Sequence, residues 1–376
     1  MIHHHQASIV CLLLLFFLGE NNDYQVESLS AQPIQSSSCF STTPPPNGKK
    51  NTSNVFVWDN VIPTATQESL HQYASKSGLG HKAFTRPLSS SNNNNPIERV
   101  LDSILNQISD DDDDDGGAKY VEYWTRQQWR SIEAHADVDE NLAKEQDMQQ
   151  QNSGKNSYRY PTMGHVLYLK VGSEVLGPTC VFPNRKSGGE LLVDNEHDDD
   201  DSKKKEVELL TVPAVPGRVL RFDGSALHAV PRPYDLWLLS FVKGALEHQP
   251  EDLYGRSVIL FNTWKDPPLG VPLDDNSVVE SGNNKHDSLV CEEECAVNQR
   301  LEWKEAYSRG NDIEEACAKD QDEEDKKMVP AKVWLLGNER RRDHRMRTVK
   351  LSAPEDKLRG ALSETREVKR TILFHP

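Results

Sequence analysis

Between residues 119 and 261 short apolar runs alternate with glycine, proline and polar breaks, the pattern of successive β-strands. Tyr120-Val121-Glu122-Tyr123-Trp124 alternates with a period of two. Trp129 to His135, Gly164 to Val171, Pro178 to Phe182, Gly188 to Val193, Gly217 to Phe222, His228 to Val230 and Ser257 to Phe261 continue the series. Two polar insertions, 139–157 and 194–206, interrupt it. Many short strands punctuated in this way predict an antiparallel sandwich or barrel. Upstream, Asn54 to Trp58 reads as a short strand and Gln67 to Ala74 as a helical segment. Pro96 to Ile108 places Ile97, Val100, Leu101, Ile104, Leu105 and Ile108 on one stripe behind a leading proline. That spacing predicts a helix packed on the outside of a sheet. Beyond residue 287 the pattern changes. Glu292 to Glu324 is charged and reads as helical, and Ala331 to Leu336 and Lys369 to Phe374 read as two more strands. Those two either extend the main sheet or close a small appended unit.

The fold class is therefore mainly β with flanking helices. Only 36% of the 376 residues are hydrophobic and the mean hydropathy is -0.69, so much of the chain lies outside any core. This predicts one compact domain of about 200 residues carrying polar insertions. Three regions follow: a leader and linker over 1–53, a domain over 54–264, and a charged extension over 265–376.

Charge narrows the function. Of the formal net charge of -16, the runs Asp110 to Asp115 and Asp198 to Asp201 supply ten negative charges, and the remainder is ordinary. Such runs read as solvated loops and lack the spacing of a calcium-binding loop. The acidic balance argues against nucleic acid as a partner, and the basic cluster Arg340 to Arg342 is local. Six cysteines are too sparse for a disulfide framework, and Cys291 and Cys295 have no second pair at zinc spacing. Ile9 to Gly19 is an apolar run of eleven, too short to span a membrane and suited to a signal peptide. It points to the secretory pathway (ER or Golgi). The membrane enters only if the leader stays as an anchor.

Three polar side chains stand out against the strands. In His135-Ala136-Asp137 the two side chains share one face, because side chains on a strand repeat every second residue. His228, on a distant strand, supplies a second imidazole. Two imidazoles and one carboxylate on a rigid β-scaffold form the facial set of a ferrous centre with open positions for a keto acid and dioxygen. Arg256 heads the run Ser257 to Phe261, where a guanidinium can hold a dicarboxylate co-substrate by a paired ionic contact. His-x-Asp alone recurs by chance, and a lone histidine is more often an ordinary hydrogen-bonded residue. Order and context distinguish this set.

Residues 54–264 resemble the prolyl-4-hydroxylase-type group of Fe(II)/2-oxoglutarate dioxygenases. Tyr123 to Trp129 resembles that family's aromatic entry strand. Val166-Leu167-Tyr168-Leu169 followed by Gly177 to Phe182 resembles its tyrosine-leucine and Gly-x-Thr-x-Phe strands. Gly217 to Phe222 resembles the turn and strand before its distal histidine. The resemblance implies a double-stranded β-helix (jelly-roll, cupin-like) core, with His135, Asp137 and His228 as iron ligands and Tyr168 as a hydrogen-bonding partner of 2-oxoglutarate. It implies Fe(II), 2-oxoglutarate and dioxygen as cofactor and co-substrates, with ascorbate as an optional addition. The substrate would be a protein, first of all a prolyl residue, or a small molecule. One departure concerns the basic residue, which the family carries about ten residues after its distal histidine. Here Pro231 to Gly255 intervenes. Arg256 is favoured, with Arg232 and Lys243 as alternatives. Two other readings compete: a β-barrel that binds without catalysis, and a cupin-like barrel using another divalent metal.

Overall fold

Strand β1 (Val55–Asp59) leads into helix α1 (Thr64–Lys76), strand β2 (Lys82–Thr85) and helix α2 (Pro96–Ile108). Eight strands follow: β3 (Tyr120–Gln128), β4 (Ile132–His135), β5 (Met163–Val171), β6 (Thr179–Lys186), β7 (Glu206–Val212), β8 (Val219–Asp223), β9 (Ala226–Val230) and β10 (Gly255–Trp264). Helix α3 (Glu140–Gln149) lies between β4 and β5. Beyond them come β11 (Lys304–Ser308), β12 (Met328–Leu336), β13 (Arg347–Pro354), helix α4 (Glu355–Ser363) and β14 (Lys369–Phe374).

These elements come from a computed structural model describing residues 55–76, 80–88, 95–108, 117–128, 132–149, 158–173, 177–186, 206–231, 255–273, 296–308, 327–336, 347–363 and 366–374. All of them fall in the unit Asn51–Pro376. The leader, both aspartate runs, the expected strand Gly188 to Val193, Arg232, Lys243, Cys291 and Cys295 lie outside the described residues. Among the described residues, no helix is long and apolar enough to cross a membrane.

The pairing of the eight central strands defines the architecture. β3 pairs with β10, β4 with β9, β5 with β8 and β6 with β7, all antiparallel. First joins last and second joins second-last, the nested order of a chain folded as one long hairpin and rolled up. β3, β5, β8 and β10 fall in one sheet, and β4, β6, β7 and β9 in the other. This is a jelly roll, the double-stranded β-helix expected. β11, β1 and β2 widen the first sheet, whose order is β11-β1-β8-β5-β10-β3-β2. The two strands expected near the C-terminus join the second sheet: β14 pairs with β7 over six positions, and β12 runs parallel to β4 and closes the ring.

Alternation sorts the core into layers. On β5, Val166 and Tyr168 face the space between the sheets together with Val181, Leu210, Leu220 and Val258. Their neighbours Leu167 and Leu169 face outward, where the stripe of α2 covers them with Ile259 and Phe261. α2 begins as its sequence dictates. The Asn95 side-chain oxygen accepts from Ile97 N at 3.1 Å, capping the first turn beside Pro96.

Several elements differ from the sequence pattern. Residues 304–308 form β11 and residues 300–302 a 3-10 turn, where a helix was expected. β11 pairs along β1, so tertiary pairing overrides local helical propensity. α3 occupies the first polar insertion, and β2 and β7 lie where no strand was expected.

Candidate metal centre and its cavity

The pairing of β4 with β9 sets His135 directly opposite His228. Their rings lie 4.4 Å apart, centroid to centroid. Asp137 follows two residues after His135 and brings Oδ1 to 3.7 Å from His135 Nε2 and 3.9 Å from His228 Nε2. The three ligand atoms lie within 4.8 Å of one another. The sequence-predicted triad is thus assembled at one point.

Backbone contacts orient both imidazoles. His135 Nδ1 is 2.8 Å from the carbonyl of Glu133, and His228 Nδ1 is 3.3 Å from the carbonyl of Ala226. A carbonyl only accepts, so each Nδ1 donates and each ring turns its Nε2 toward Asp137. Burial pushes His135 down to about 4, and His228 alongside adds to this, so the ring is neutral near pH 7. Burial opposes ionisation of Asp137, but His228, His135, the Asn262 amide and Arg126 outweigh it and hold the carboxyl below its ordinary value. Two imidazoles and one carboxylate, each oriented by an outer partner, are a donor set that suits a divalent cation.

Asn262 is a positioning residue that the sequence reading missed. It lies on β10, is buried, and donates from Nδ2 to Asp137 Oδ2 at 3.1 Å, leaving Oδ1 to face the imidazoles. Its signal was present as a lone amide at an inward position of the apolar run Ser257 to Phe261 extended to Trp264.

The triad opens into a cavity of about 440 Å³ that Thr179 and Arg256 also line. Arg256 is 3% exposed. Its Nε donates to the Gly177 carbonyl at 2.9 Å and its Nη2 to Thr179 Oγ1 at 3.2 Å. The guanidinium carbon lies 5.4 Å from the centre of the Tyr168 ring. Among the described residues, no carboxylate pairs with Arg256. Burial lowers its pKa, which Tyr168 opposes and Arg126 reinforces. A buried guanidinium without a counter-ion is costly unless an anionic ligand completes it. Gly177 adopts φ +37°, outside the range comfortable for other residues, and this turn aims its carbonyl at Arg256.

Tyr168 is fully buried beneath this end and does not line the cavity. Its hydroxyl donates to Thr179 Oγ1 at 2.8 Å, and burial raises its pKa so that it stays a neutral donor. Thr179 therefore accepts from both Tyr168 and Arg256, and its own proton is left to donate onward. His165, set aside as a fourth ligand, points to the opposite face of β5, stacked on Phe261 at 4.5 Å.

No family model matches the sequence, and no curated protein matches it. Solved structures that match in part include a prolyl-4-hydroxylase from Pseudomonas putida, at 10% identity and a TM-score of 0.30, covering 57% of this chain and 87% of that one. The iron-bound HygX of Streptomyces hygroscopicus is 13% identical with a TM-score of 0.29, covering 57% and 83%. SnoN, a non-heme alpha-ketoglutarate-dependent epimerase of nogalamycin biosynthesis, is 14% identical with a TM-score of 0.28, covering 56% and 78%. Likeness at that level carries no functional argument; the site has to carry it.

Proposed function

We propose that this protein is an Fe(II)- and 2-oxoglutarate-dependent oxygenase that hydroxylates a C–H bond, with a prolyl residue of a protein as the first substrate class to test. One observation carries the reading. A single cavity holds a converging His135-Asp137-His228 set and a buried Arg256 that has no counter-ion among the described residues. The first suits a ferrous ion with open positions, and the second suits the far carboxylate of a dicarboxylate co-substrate. When bound, the ferrous ion supplies the oxygen activation that side chains cannot perform.

The chain's own residues do the rest. His135 and His228 offer Nε2 lone pairs because their Nδ1 protons are held by backbone carbonyls. Asn262 fixes the rotation of the Asp137 carboxylate. Arg256 and the Thr179 hydroxyl present donors to a carboxylate, and Tyr168 holds Thr179 in that orientation from below. Ile132, Val230 and Leu260 give the cavity apolar walls. A secretory setting, read from the apolar run Ile9 to Gly19, is part of the proposal.

The test is Fe(II)-dependent succinate release from 2-oxoglutarate without added substrate, on wild type and His135→Ala. We expect turnover in wild type and a loss of at least about a hundredfold in the variant, the scale set by removing a metal ligand together with its orientation. Equal turnover in both sinks the assignment. Turnover with manganese or zinc and none with iron marks the cupin-like alternative instead.

A further inference from the structure

The wall of the cavity formed by β3 supplies none of the three candidate ligands. Glu122, Trp124 and Arg126 alternate on one face of that strand and line the cavity. Glu122 stands opposite Asn262 in the pairing of β3 with β10, one strand away from the amide that holds Asp137. His81, just ahead of β2, lies flat on the Trp124 indole, with centroids 4.6 Å apart and planes 7° from parallel. Its Nδ1 is 2.7 Å from Glu122 Oε1. The other oxygen of this buried acid accepts from Trp264 Nε1 at 3.0 Å. Glu122 is therefore engaged on both oxygens.

Further donors stand on this wall. The contact with Glu122 uses His81 Nδ1 and leaves Nε2, a second donor in the protonated ring, on a side chain that is 47% exposed. Trp124 Nε1 is buried without a hydrogen-bond partner among the described residues. Arg126 brings a second cation to the same face. An apolar strap, Pro268 to Pro272, runs along β2 on the same side and also lines the cavity, with Leu269 36% exposed. Its position is fixed by Ala83 N donating to the Pro272 carbonyl at 2.9 Å and Asn141 Nδ2 donating to the Leu269 carbonyl at 2.7 Å.

We propose that His81, oriented by Glu122 and backed by the Trp124 ring, anchors a carboxylate on the substrate, whose apolar body packs against the strap. The substrate class is then an acid with an apolar body, either a free amino-acid derivative or the C-terminus of a peptide. The hydrogen bond from Glu122 supports this by holding the His81 imidazole above its ordinary pKa, which favours the cationic donor. The inference deepens the oxygenase reading by naming what enters the same cavity, and its purpose rests on that reading.

Binding to the metal-free full-length protein tests it without any turnover. The probes are N-acetyl-L-leucine and its amide, and the tripeptide Ala-Ala-Leu and its C-terminal amide, titrated by calorimetry. In wild type at least one acid should bind about tenfold or more tighter than its amide, as loss of a charge-assisted hydrogen bond implies. The tighter acid identifies the source. The preference should fall below about twofold in His81→Gln and persist in His135→Ala, by the same reasoning. In wild type, the His81 Cε1 proton resonance should also shift on adding the preferred acid. Acid and amide binding alike, none of the four binding, or a preference that survives in His81→Gln overturns the proposal. An intact acid preference without iron-dependent turnover sinks the oxygenase reading alone.

Discussion

Asn262 shows how one buried amide governs a carboxylate. By taking Asp137 Oδ2 it fixes which oxygen faces the imidazoles. Asn262→Ala should weaken Fe(II) binding by about tenfold to hundredfold, the usual effect of losing a ligand's outer partner. Anaerobic calorimetric titration checks this, and unchanged affinity would remove Asn262 from the site. His135, Asp137, His228 and Arg256 were legible in the sequence because imidazoles, a carboxylate and a guanidinium stand out among apolar strand positions. Asn262 and Thr179 were not, since an amide or hydroxyl on a strand acquires a role only once its cross-strand neighbour is known. His165 is the opposite case, a conspicuous side chain on the wrong face. Burial, and then Arg221, hold its pKa well below 6.5. The unfolded chain regains the ordinary value, so below pH 6.5 the unfolded state binds a proton that the folded state refuses. Stability contributed by neutral His165 is thus present above pH 6.5 and lost as pH falls, by up to about 1.4 kcal/mol per pH unit. The urea midpoint of wild type should fall more between pH 7 and pH 5 than that of His165→Phe. Parallel falls would show that another group carries the acid sensitivity.

At the scale of elements, β5 and β8 set the second imidazole in place through a glycine. Gly164 faces Phe222 in their pairing, and a Cβ at Gly164 would come within 2.7 Å of the Phe222 ring. That ring lies 4.8 Å from the His228 ring. Gly164→Ala therefore pushes the phenyl group toward the triad. We expect a loss of about 1–3 kcal/mol in stability, typical of overpacking, and weaker Fe(II) binding in the same variant. Adding Phe222→Leu should recover part of both losses, because the second change vacates the space that the first fills. Purely additive losses in the double variant would show that the two residues do not meet. Such a contact hides from sequence reading, because the glycine looks like a strand boundary and the phenylalanine like ordinary core. α2 was legible because its stripe and its proline start are local signals. β11 was not, because its conformation is decided by β1, far away in the chain.

At the scale of the molecule, the site depends on chain that supplies none of its ligands. β12 pairs in parallel with β4, with Leu336 opposite His135, and β14 covers the edge of β7 over six positions. Leu351, Ala353 and Leu373 are buried in the same cluster as Ala134, the residue before His135. Two of these strands were legible as strands, but whether they extend the main sheet was not, since they gain their partners only when the ring closes. Ending the chain after residue 326 would uncover that cluster and leave β4 paired on one side alone. Burial of each large apolar side chain contributes about 1.5–3 kcal/mol, against a typical net stability of about 5–15 kcal/mol. The shortened protein should therefore unfold at markedly lower urea and bind Fe(II) at least about tenfold more weakly, because β4, held by β9 alone, fixes His135 less firmly opposite His228. The comparison is a urea titration and an anaerobic Fe(II) titration on both lengths. A shortened chain with wild-type metal affinity would show that the jelly roll organises its centre without the closing strands, and that those strands serve another purpose.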